Sequence, residues 1–197
     1  MSADHNRSIN GQATIHPETM KAALELWMQT GDVHNIPVIG ISMLPLLRDG
    51  DQVLVAHDRS EIRVGEIVVF QRAADLVAHR VLRVYFSEGS RTLLTKGDNA
   101  LSFDSLHNEQ ELVGRVIGLQ RGDQRMSLDT SSWRRINKLV ALGMLIQGEL
   151  YSKLVDQKGT RSRLGYAKVA TVASRLIVGG YKLLLVACLA VFGRWQS

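Results

Sequence analysis

Apolar positions change their period twice along this chain, and the changes divide it into three parts. Between Pro17 and Thr30, Met20, Ala23, Leu24 and Trp27 recur at helical spacing. Pro17 suits a first helical turn and Gly31 a stop, so the pattern predicts an amphipathic helix over 17–30. With Glu18, Lys21 and Glu25 inside it, so short a helix cannot span a bilayer. From Pro37 to Leu128 the period shortens to strand-like runs separated by turn formers such as Asp58-Arg59-Ser60, Ser87-Glu88-Gly89-Ser90 and Gly122-Asp123. Strands are expected at Gln52–His57, Glu66–Arg72, Leu76–Val84, Arg91–Thr95, Glu111–Leu119 and Arg125–Leu128. The helical period returns after Ser131, with Ile136, Leu139, Val140, Leu142, Met144, Leu145 and Ile146 in a helix over 133–150 headed by Arg134-Arg135. A polar linker follows over 152–163, and then an apolar run over 176–193 bounded by Arg175 and Arg194.

These periods imply a tail and amphipathic helix over 1–35, one compact mainly-β domain over 36–130, and a basic, apolar helical region over 131–197. Nothing in the middle part alternates strand with helix or supplies a glycine-rich phosphate loop, so a nucleotide-binding α/β sheet is not expected. The run over 176–193 is at the lower edge of a membrane-spanning length, with Lys182 as its one internal charge. Tyr181 and Trp195 suit headgroup depth, so a spanning helix is the favoured expectation, ahead of an in-plane or a buried one. Met1 to Gly11 is polar and no apolar stretch of secretory length precedes residue 36, so no leading signal is expected.

Charge sharpens that division. Residues 1–120 hold 11 Lys and Arg against 15 Asp and Glu, whereas residues 121–197 hold 13 against 4. Cations interleaved with long aliphatic runs fit an anionic membrane surface better than nucleic acid, which is not expected as a partner. Arg161, Arg163, Lys168 and Arg175 ahead of the apolar run, against Arg194 behind it, would keep the catalytic side cytoplasmic. A single cysteine, Cys188, rules out an internal disulfide framework and any cysteine-based metal cluster.

The residues with chemistry cluster in the β part. Ser42 stands between Gly40, which needs no room for a side chain, and Pro45, which disfavours helix at the residue before it. A serine so presented is a turn hydroxyl or a nucleophile, and a nucleophile needs an adjacent base. His57, His79, His107 and Lys96 are the candidates, with His79 alone inside an apolar strand, L-V-A-H-R-V-L. Asp98 and Asp104 can each orient an imidazole, and each can equally cap a turn. Neither a metal nor an organic cofactor is called for by these residue types.

In order, the chain carries G-I-S-M-L-P-L-L-R-D-G-D-Q-V-L-V at 40–55, V-G-E-I-V-V-F at 64–70, V-A-H-R-V-L at 77–82, L-L-T-K-G-D-N-A at 93–100 and V-G-R-V-I-G at 113–118. Over about residues 36–120 this resembles the signal peptidase I family of membrane serine endopeptidases, a broader group that includes the self-cleaving LexA-like repressors. A histidine before R-V is similar to the archaeal and endoplasmic-reticulum branch, where bacterial-type members have lysine. The resemblance implies a signal-peptidase-like β-fold, Ser42 as nucleophile, His79 as base and acid, Asp104 as orienting acid and Asp98 as a buttress. It also implies Gly40, Met43 and Pro45 in substrate binding, the Ser42 N–H as oxyanion donor, and a signal or leader peptide of a precursor as substrate. Such peptidases usually carry a membrane helix just before the S-M-x-P box, and residues 1–35 contain none. A self-cleaving regulator would need a scissile Ala-Gly or Cys-Gly, and neither dipeptide occurs here. A non-catalytic scaffold would have no use for Ser42, His79, Asp98 and Asp104 together.

Overall fold

The computed structural model describes residues 26–27, 31–58, 62–72, 75–87, 89–156 and 164–193. Eight strands form one sheet: β1 (Val33–Pro37), β2 (Gln52–Ala56), β3 (Ile67–Arg72), β4 (Asp75–Ser87), β5 (Ser90–Lys96), β6 (His107–Asn108), β7 (Leu112–Arg121) and β8 (Gln124–Ser127). The order is β1-β2-β7-β3-β4-β5-β6, with β8 paired to β7, and the pairings are antiparallel. The mainly-β fold expected from the alternating runs is therefore what forms. The six expected strands are present within a few residues of their predicted ends. β1 and the two-residue β6 were not foreseen; Pro37 inside β1 is tolerated because β1 is an edge strand.

Two helices follow, α1 (Ser131–Asp156) and α2 (Leu164–Phe192). The Thr130 hydroxyl caps α1, accepting from the Trp133 N–H at 3.3 Å. Both helices are longer than their apolar runs suggest. α1 continues through Ser152 and Lys153, where a linker was expected, and α2 begins at Leu164 rather than near 176. Charged and small residues such as Lys153, Ala167 and Ala170 are good helix formers without being apolar, so a hydrophobic count misses them. Of the helix expected over 17–30, only Leu26 and Trp27 lie within the described residues, and both are helical.

The sheet is buried on both faces, as the continuous apolar run of β3 requires. On one face Ile62, Val68, Phe70, Val81, Leu93 and Leu112 form a small cluster. On the other, Val55, Ile67, Val69 and Leu82 pack with Trp133, Val140 and Met144 of α1 and Tyr181 and Leu185 of α2. Among the described residues no helix is long and apolar enough to cross a membrane. The membrane span expected at 176–193 is thus corrected: Tyr181, Leu185 and Cys188 of that run are buried in this protein core. The polar ends of Tyr181 and Lys182 are engaged by the β domain, which is the physical reason a charge interrupts the run.

Candidate active site

The nucleophile box folds as a compact turn between β1 and β2. Gly40 takes φ +92°, a conformation L side chains rarely adopt, and its N–H donates to Asp49 Oδ1 at 2.8 Å. The Leu44–Pro45 peptide is cis. Leu46 and Leu47 are fully buried and anchor the turn, which leaves Ser42 exposed at its tip. Beside it runs a cleft of about 140 Å³ lined by Gly40, Ser42 and Met43 together with Val53, Val69 and Ala78. Of the three residues expected to bind substrate, Gly40 and Met43 line this cleft; Pro45 is not among its lining residues and takes part in the turn through its cis peptide.

Strand alternation in β4 sends His79 and Arg80 to opposite faces, and that separates the two aspartates. His79 Nδ1 lies 2.6 Å from Asp104 Oδ2. A carboxylate only accepts, so Nδ1 carries the proton and the Nε2 of a neutral ring keeps its lone pair. The Thr95 hydroxyl donates to the same Oδ2 at 2.7 Å, and the Asp104 N–H donates to the Thr95 carbonyl at 3.0 Å. Burial pushes the Asp104 carboxyl up, but hydrogen bonding to His79, the histidine's charge and the Thr95 hydroxyl outweigh it and hold the group below the ordinary carboxylate range. On the other face, Arg80 grips Asp98 through two bonds of 2.8 and 2.7 Å, with both side chains fully buried. The same guanidinium donates to the Gly65 carbonyl and to Asn137 Oδ1, each at 2.8 Å.

Gly97 is where serine and histidine meet. A Cβ placed on it would lie 2.7 Å from the Ser42 carbonyl oxygen and 3.0 Å from His79 Nε2. Those two atoms are therefore no further apart than the two lengths together, and the free imidazole nitrogen faces the serine's loop across bare backbone. The Asn99 N–H donates to that same Ser42 carbonyl at 2.7 Å and ties the two loops together. Gly97→Ala is expected to keep the fold but lower the rate of any Ser42 chemistry at least tenfold, since misplacement by about 1 Å can cost about 100-fold. An unchanged rate of Ser42 labelling by a fluorophosphonate would contradict it.

The other sequence candidates for a base lie elsewhere. His57 bonds the Val113 carbonyl through Nδ1 at 2.9 Å and meets His34 at 3.0 Å. His107 pairs with Glu111 at 2.8 Å and packs on the Phe70 ring. Lys96 is fully buried with its amine donating to Gln147 of α1, and burial brings its pKa down to about 8. Among the described residues no group of three or more His, Cys, Asp and Glu could hold a metal ion. Thr95, Asn99 and Arg80 were given no role from sequence, although all three sit inside or beside the quoted motifs; the buried charge of Arg80 in an apolar strand was the available signal.

Known proteins point the same way as this geometry. The family model described as Peptidase S24-like matches residues 7–117. The signal peptidase complex catalytic subunit sec11 of Aspergillus terreus is 30% identical over 140 residues, covering 56% of this chain and 73% of the relative. Its counterpart in Pyrenophora tritici-repentis is 31% identical over 131 residues, covering 57% and 75%. The SEC11 subunit of Yarrowia lipolytica is 37% identical over 95 residues, covering 42% of this chain and 55% of that one.

Proposed function

The chain belongs to the S24-like peptidase family and is a serine-type peptidase; from that premise we propose that it is an endopeptidase that removes a signal or leader peptide from a precursor by a Ser42–His79–Asp104 mechanism. The observation that carries the mechanism is the 2.6 Å His79–Asp104 bond, which leaves Nε2 bare on the side where the Ser42 loop packs. His79 takes the Ser42 proton as the hydroxyl attacks the scissile carbonyl, and returns it to the departing amine. Asp104 keeps the ring in that tautomer and stabilises the imidazolium, a task suited to a carboxylate held ionised. The Ser42 N–H supplies an oxyanion donor. The apolar cleft lined by Val53, Val69 and Ala78 accepts small or apolar residues of an extended peptide. Asp98 serves as the buttress, fixing Arg80 beneath the site.

The relatives, catalytic subunits of signal peptidase complexes, support the substrate class, and the contacts of His79 support the chemistry. The reading is tested by fluorophosphonate labelling followed by peptide mapping, which should find the adduct on Ser42. Mass spectrometry of cells expressing Ser42→Ala protein should find uncut precursors accumulating. An adduct on another serine, or no adduct, would overturn the mechanism; labelling without accumulation would overturn the substrate class. Release of fragments of the chain itself, read by intact mass, would favour a self-cleaving regulator instead.

Membrane association is part of the proposal and is assigned to the outer face of α2. Leu176, Leu183, Val186 and Val191 are exposed there, next to Arg175. An in-plane helix of this kind suits the cytoplasmic leaflet, whose anionic lipids attract the basic C-terminal part. Co-sedimentation with phosphatidylserine vesicles, weakened by salt and by Leu183→Glu, is the expected result; equal recovery without vesicles would remove this assignment.

A further inference from the structure

Asn99 is gripped from three sides, and one grip comes from the far end of the chain. Its N–H donates to the Ser42 carbonyl at 2.7 Å and its Nδ2 donates to the Ile41 carbonyl at 3.1 Å. Its Oδ1 accepts from the Lys182 ammonium of α2. Beside it, the Tyr181 hydroxyl donates to the Asp98 carbonyl at 3.0 Å, so α2 holds two successive residues of the loop that leads to Asp104.

An ammonium has three donors and no acceptor. Only the amide oxygen of Asn99 can face it; the flipped amide would set NH2 against the ammonium and oxygen against the Ile41 carbonyl. Lys182 therefore selects the rotamer in which Nδ2 reaches Ile41, and its charge polarises the amide into a stronger donor. The Ile41 carbonyl belongs to the same planar peptide as the Ser42 N–H and points the opposite way. Holding the oxygen aims the hydrogen. We propose that Lys182 is a positioning residue that acts through Asn99 to aim the Ser42 N–H at the oxyanion.

This rests on the reading of Ser42 as nucleophile, and the test separates the two. In the full chain, Lys182→Met keeps the half-buried stem and removes the donor, whereas Lys182→Arg keeps a donor-only cation. Loss of one oxyanion donor costs about 100- to 1,000-fold in kcat, so a misaimed one is expected to cost roughly tenfold, with KM within about twofold. Lys182→Arg should restore most of the rate, and the side-chain amide resonances of Asn99 should shift in Lys182→Met but not in Lys182→Arg. Asn99→Asp, which still accepts from Lys182 but cannot donate to Ile41, should reproduce the kcat loss and decides the matter if circular dichroism shows Lys182→Met unfolded. Wild-type kcat in Lys182→Met, an equal loss in Met and Arg, or unmoved Asn99 resonances would overturn the proposal. Failure of the wild-type chain to be labelled at Ser42 would overturn the nucleophile reading, while the Asn99 resonances would still judge the Lys182 contact.

Discussion

Ser42→Ala is expected to leave a folded chain that cleaves no peptide above background. The side chain is exposed at the tip of a turn anchored by Leu46 and Leu47, so its loss should move stability by no more than about 0.5 kcal/mol. Residues that act as one unit are not additive: removal of a serine-protease nucleophile or its histidine costs on the order of 10⁶-fold in kcat, about as much as removing the whole set. His79→Ala should therefore be nearly as inactive as Ser42→Ala, and the double variant no worse than either. Steady-state cleavage of a precursor peptide by the three proteins, each checked by circular dichroism, measures this. Additive losses, or cleavage by Ser42→Ala within a hundredfold of wild type, would dismiss the mechanism. Asp104, held below the usual carboxylate range, stays ionised down to acid pH and so keeps its bond to His79.

Breaking the Arg80–Asp98 pair should be the most damaging change to stability. Both side chains are fully buried and joined by two hydrogen bonds, and Arg80 also satisfies the Gly65 carbonyl and Asn137. Removing either partner strands a charge without water. Arg80→Met or Asp98→Leu is expected to cost about 3–5 kcal/mol, read as a fall in the denaturant midpoint. Replacing both by apolar residues should cost less than the sum of the singles, because no charge is then left alone. A loss under about 1 kcal/mol from either single change would show that water reaches the pair. Activity should fall in parallel, since β4 carries His79 on its other face.

Asp98 and Asp104 illustrate what residue order can and cannot decide. Both follow Ser42 and His79 at similar distances in the chain, and both are turn-compatible acids. Only the sheet register tells them apart: β4 pairs Arg80 with Lys96 of β5, which places Asp98 under the arginine, while the loop from Gly97 carries Asp104 round to the histidine. Lys182 shows the same limit more sharply. Within an apolar run it reads as a charge to be snorkelled from lipid, because a local pattern has no access to Asn99, far away in the chain. The contact with Asn99 makes it a partner of the β domain.

The sequence by itself determined the alternating strands, the mainly-β class, and the ordered set of Ser42, His79, Asp98 and Asp104, because strand period and turn chemistry are local and motif order survives in one dimension. The edge strand β1, the true lengths of α1 and α2, the fate of the run over 176–193, and which aspartate meets His79 and which meets Arg80 were decided by tertiary structure. Each of these depends on what packs opposite. A helix that buries Tyr181, Leu185 and Cys188 against a sheet has the same composition as one that buries them in lipid. What distinguishes them is where the hydroxyl of Tyr181 and the ammonium of Lys182 find acceptors, and here those acceptors are Asp98 and Asn99, beside the serine.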